Sequence, residues 1–144
     1  MYYEQALSIA RELGDRQAEG DLLGSLGIVY DSMDQYQTAI NYYEQALSIA
    51  WEINDRSGEG SRLGNLGLTY HNLGQYQTAI EYHEQALHIA REPGKRQVEG
   101  GHLGNLGSVY FRLGQYEVAL GYYEQALSVM QEISNRDGEH STLG

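Results

Sequence analysis

The chain has 144 residues, a net charge of −11 and no cysteine, which excludes disulfides, thiolate metal sites and cysteine nucleophiles. So acidic a surface argues against nucleic acid or anionic membrane as partners, because both need basic patches, and favours a basic or cationic-tipped protein. No stretch reads as a signal peptide or as an apolar run long enough to span a bilayer, so a cytoplasmic protein is expected.

Tyrosine supplies 13 aromatic residues, against one Phe and one Trp. The core must therefore be Leu, Ile, Ala and Tyr, with phenol hydroxyls reaching water or a partner. The run Tyr42-Tyr43-Glu44-Gln45-Ala46-Leu47-Ser48-Ile49-Ala50 recurs at Tyr2 to Ala10, Tyr82 to Ala90 and Tyr122 to Met130, an internal repeat of period forty.

In chain order, residues 2–13 read as an unpaired second helix of a pair, here helix B, and Met1 falls inside that repeat as if at a cut boundary. Asp15 then caps a helix A from Arg16 to Met33, in which Leu22, Leu23, Leu26, Val29 and Tyr30 recur at three- and four-residue spacing. Asp55 and Asn135 hold the capping place in later copies, whereas Lys95 stands there in the third and predicts a weaker start. Asp34-Gln35, Gly74-Gln75 and Gly114-Gln115 suit a left-handed turn between helices. Helix B follows from Tyr36 to about Trp51, with Ala39, Ile40, Tyr43, Ala46, Leu47 and Ala50 on one stripe. Its end is marked by Ile53-Asn54-Asp55, as by Leu13-Gly14-Asp15 and Pro93-Gly94-Lys95. The resulting frame is one array over 1–144: an orphan helix B at 2–13, complete repeats at about 15–54, 55–94 and 95–134, and a truncated helix A at 135–144. No strand pattern occurs. Gly20, Gly24, Gly27 and their copies weaken helix A by about 1 kcal/mol each relative to alanine, and Gly27, Gly67 and Gly107 are expected where a neighbouring helix packs closely.

Leu23, Leu26-Gly27, Tyr30, Tyr36, Ala39, Tyr43 and Ala46, in that order and spacing, resemble the tetratricopeptide repeat, with Leu23 where the family often has tryptophan. The period of forty and the Leu-Gly-Asn-Leu-Gly phrase are most similar to the longer-helix variety known from Pins/LGN-type polarity adaptors and bacterial regulatory proteins. The resemblance implies an all-α, right-handed superhelical solenoid of antiparallel helix pairs, with helix A lining the concave face. Two departures stand out. The usual proline after helix B is replaced by Trp51, Arg91 and Gln131. The lysine and asparagine with which some members clamp a chaperone tail are replaced by Gly24 with Ile28, Gly64 with Leu68, and Gly104 with Ser108.

If helix A lines a groove, candidate partner-binding residues are Ile28, Asp31, Asn65, Leu68, His71, Asn72, Asn105, Ser108, Phe111 and Arg112. Asp31, His71 and Phe111 differ in every copy, while core positions repeat almost letter for letter. His83-Glu84-Gln85-Ala86-Leu87-His88 approaches a zinc-protease motif, but its histidines are five apart and point away from one another on a helix. The Gly58-Glu59-Gly60 and Gly100-Gly101 pairs lack the preceding strand of a nucleotide loop. No metal, cofactor or catalytic residue is therefore expected, and the chain does not read as an enzyme. Arg16/Glu19, Arg56/Glu59, Arg96/Glu99 and Arg136/Glu139 are read as surface pairs worth a few tenths of a kcal/mol. Two functions follow: a scaffold holding a peptide or partner segment in the concave groove, or a structural module that self-associates by stacking or swapping its unpaired end helices.

Overall fold

In the computed structural model, which describes residues 2–92 and 95–143 with side chains through Arg136, every element is a helix. In order these are α1 (Tyr2–Leu13), α2 (Arg16–Ser32), α3 (Tyr36–Glu52), α4 (Arg56–Asn72), α5 (Tyr76–Ala90), α6 (Arg96–Arg112) and α7 (Tyr116–Leu143). The expected ending at Pro93-Gly94 lies outside the described residues.

The breaks have local causes. Asp34, Gly74 and Gly114 adopt φ of 59°, 77° and 77° at the A-to-B turn, and Gly14 and Asn54 adopt 68° and 58° at the B-to-A turn; Gly meets this left-handed requirement without strain and Asn or Asp with little. Asp15 and Asp55 accept hydrogen bonds from the Ala18 and Gly58 amides at 3.1 and 2.9 Å, while Lys95 offers the start of α6 no side-chain bond.

The fourth copy differs from expectation. No break occurs near residue 134: α7 runs on through residues 135–143, where a separate truncated helix A was expected. Ser134 occupies the place of Gly14 and Asn54, and a serine side chain disfavours the left-handed conformation that ends the other B helices.

No copy can bury its own stripe. One cluster joins Ile40, Tyr43 and Leu47 of α3 to Leu63 and Leu66 of α4 and to Ala86 and Ile89 of α5; the next joins Ile80 and Leu87 of α5 to Leu103 and Leu106 of α6 and Val129 of α7. The core lies between repeats, each buried Leu or Ile contributing about 1.5–3 kcal/mol. Tyr30, Tyr70 and Tyr110 stack on Tyr42, Tyr82 and Tyr122 with ring centroids 5.4–5.5 Å apart, a ladder at the core margin. Helices α2, α4 and α6 touch one another in sequence, whereas α3, α5 and α7 do not. The array therefore curves towards its A helices.

Arg16, Arg56 and Arg96 tie the two helices of each pair together. Each pairs with the glutamate three residues on, at 2.8, 2.9 and 2.6 Å, and with a glutamate 36 residues on, Glu52, Glu92 or Glu132. Glu19 and Glu99 are buried rather than on the surface, so for them the surface-pair reading is corrected: the second arginines Arg11 and Arg91 complete their enclosure. The side chain of Glu139 lies outside the described residues.

Candidate functional site

The concave face carries three exposed apolar side chains on three adjacent turns of the array. Ile28, Leu68 and Phe111 are 49%, 41% and 53% exposed on α2, α4 and α6. Beside them Asn72 and Arg112 are exposed and Asn65, Asn105 and Ser108 half-buried. The positions expected to be most variable have different fates. Thr69 Oγ1 donates to the Asp31 carboxylate at 2.9 Å, which ties α4 to α2. His71 and Phe111 instead lie edge-on against Tyr76 and Tyr116, the first residues of the following B helices. Burial, helped by the positive Arg112, pushes the His71 imidazole below its ordinary pKa.

Beneath this face lies a layer absent from the candidates drawn from sequence. A Cβ on Gly27, Gly67 or Gly107 would sit 2.5, 2.6 or 2.8 Å from the ring of Tyr43, His83 or Tyr123. Those rings cross from helix B under helix A, and the missing side chains admit them, as expected for these glycines. Tyr123 Oη lies 3.1 Å from Ser108 Oγ, within hydrogen-bond reach. Tyr43 is buried, and burial together with the Asp31 charge holds its phenol protonated well above the usual range.

One repeat later the same positions read differently. Asp31, Tyr43 and Arg62 become His71, His83 and His102. His83 and His102 are 0% and 8% exposed, and none of their four ring nitrogens has a hydrogen-bond partner. Burial lowers both, His83 to about 4, with the other two imidazoles opposing its charge. The constant sixteen-residue offset from Gly27 to Tyr43, Gly67 to His83 and Gly107 to Tyr123 was the available signal, because it lines the glycine gap up with the ring that fills it. In the near-motif at residues 83–88, His83 is buried and His88 exposed, and among the described residues no three metal-ligating side chains are placed to share an ion.

Antiparallel helix pairs stacked into a superhelix with an open face on the first helix of each pair define a helical-repeat scaffold. The tetratricopeptide-repeat family model matches residues 1–50 and 61–132, and the chain belongs to that family. The fold is a protein–protein interaction scaffold, and proteins of this repeat class are generally not enzymes.

Solved structures agree on the fold. BtubC from P. vanneervenii superposes with a TM-score of 0.83 at 23% identity, covering 92% of this chain and 56% of that one. The TPR domain of Arabidopsis FLU gives 0.76 at 21%, covering 81% and 98%. A signal-transduction ATPase with numerous domains and a tetratricopeptide-repeat sensor, from Pyrococcus horikoshii, gives 0.83 at 25%, covering 94% and 21%. The chain thus spans about half the length of BtubC. No curated protein sequence matches it significantly.

Proposed function

We propose that the chain is a protein-interaction scaffold that holds a partner segment along its concave face. Ile28, Leu68 and Phe111 provide the apolar anchors, with Asn65, Asn72, Asn105 and Arg112 as hydrogen-bonding neighbours. The observation that carries this reading is the run of large apolar side chains left exposed on consecutive A helices, where their loss from water on binding would be favourable. His71 and Ser108 flank the anchors, while Asp31 is already engaged by Thr69. The double variant L68D/F111D, screened with the parent chain on a peptide array, is expected to lose the bound peptides while keeping its helical circular dichroism. Retention of the same peptides by the variant would sink the groove reading. A cytoplasmic setting is part of this proposal; among the described residues no helix is long and apolar enough to cross a membrane.

A second reading rests on α7. Leu120 is 58% exposed where its copies Ile40 and Ile80 are 2% and 3%, and among the described residues no further helix packs over this part of α7. A second copy covering that face would produce self-association. Light scattering is then expected to show a mass that rises with concentration, and L120E/L127E to hold the chain monomeric. A constant monomer mass for the parent chain would count against it.

A further inference from the structure

The outer side of the array breaks its own pattern at one point. Arg11 and Arg91 each reach the buried glutamate of the following A helix, Glu19 at 3.1 Å and Glu99 at 3.3 Å. The copy between them has Trp51 in the arginine's place, 55% exposed. Among the described residues Glu59, the corresponding glutamate, therefore has Arg56 as its one ion-pair partner, and its side chain is 15% exposed against 9% and 8% for Glu19 and Glu99.

The space left by that missing arginine is open. Two cavities of about 450 and 540 Å³ adjoin there between α3, α4 and α5, sharing Leu63, Glu81 and Gln85; the first is lined by Trp51 and Leu47 and the second by Glu59 and Glu84. Glu44, Glu81 and Glu84 belong to none of the ion pairs among the described residues. Arg56, already paired with Glu59 and Glu92, and His88 also line the second cavity, so the groove has an apolar floor, one exposed indole and four carboxylates, Glu44, Glu59, Glu81 and Glu84, against one arginine and one histidine.

We propose that this convex groove docks a partner segment carrying an arginine beside an apolar residue. The guanidinium takes the place that Arg11 and Arg91 fill in the neighbouring copies, pairing with Glu59 and lying against the Trp51 ring, while the apolar neighbour covers Leu47 and Leu63. Arginine fits better than lysine because its planar fork can bond a carboxylate bidentately and stack on an indole in the same pose. The site is distinct from the concave face.

Trp51 is the only tryptophan, so its fluorescence reports on the groove directly. The probe is a short, end-capped peptide of alternating arginine and leucine, with a citrulline analogue as its neutral isostere. A saturable shift in emission is expected with the arginine peptide, weakened at least about tenfold by citrulline or by Glu81→Gln. In calorimetry, Trp51→Arg is expected to lose peptide binding to a similar degree by supplying the missing arginine within the chain, with its helical circular dichroism intact. L68D/F111D is expected to bind the probe like the parent chain, which separates failure here from failure of the concave-groove reading. No saturable shift up to about 1 mM peptide, or equal binding by Trp51→Arg, would overturn the proposal. So would a dimer, formed without peptide, that Trp51→Arg dissolves, since a second copy would then be the occupant.

Discussion

Lowering the pH from about 7 to about 5 is expected to cost the folded array about 2 kcal/mol through His83 alone, with a fall in Tm of about 4 to 8 °C. His83 is buried, its ring nitrogens are unpartnered, and its pKa lies near 4 against an ordinary 6.5. Between these values the unfolded chain binds a proton that the folded chain refuses. Stability is therefore complete above about pH 6.5 and declines as the pH falls towards 4. His102 of α6, also lowered by burial, acts with the same sign, and His71 of α4 adds positive charge on the third side. The carboxylates of Glu92 and Glu132, held low chiefly by Arg56 and Arg96, lose their contributions only in a more acidic window, below about 4.5. His83→Tyr restores the residue type of Tyr43 and Tyr123 and is expected to flatten the slope between pH 7 and 5. Thermal melts across that range check it; a parent Tm constant from pH 7 to 5, or an unaltered slope in His83→Tyr, would contradict the assignment.

Gly67→Ala is expected to destabilise by about 1–3 kcal/mol despite alanine's better helix propensity. The added Cβ would meet the His83 ring at 2.6 Å, and that ring is fully enclosed. Gly27→Ala meets the Tyr43 ring at 2.5 Å and is expected to behave alike. Gly101→Ala provides the opposite sign: nothing lies within 4 Å of its Cβ, so helix propensity decides and about 0.5–1 kcal/mol of stabilisation is expected. Chemical denaturation of the three variants checks the pattern, and a Gly67→Ala chain as stable as the parent would show that the imidazole has room to move.

Much of the architecture was legible because its causes are local and repeated. The stripe of Ala39, Ile40, Tyr43, Ala46 and Leu47 names a helix face, the glycines and Asp34 name the turns, and a strict period of forty aligns the copies. The exposed positions Ile28, Leu68 and Phe111 could be placed from the same periodicity. Less legible was what lies under them. Asp31 looked like a free surface residue until Thr69, 38 positions away, was brought against it, and the Arg16, Arg56 and Arg96 pairs gained partners 36 residues on.

By itself the sequence determined the helix pairs of the first three copies and the fold family, since these follow from short-range spacing repeated along the chain, though not the unbroken run of α7 past residue 134. Only the tertiary structure decided how the surroundings of equivalent residues differ from copy to copy. Substitutions that look minor along the chain, His83 for tyrosine, His102 for Arg62 and Trp51 for arginine, fall at the layers between repeats. There the dielectric environment and the identity of the facing charge depend on three helices at once. A one-dimensional period cannot express whether a polar group at such a layer has a partner, because the partner sits one repeat away and is itself free to vary.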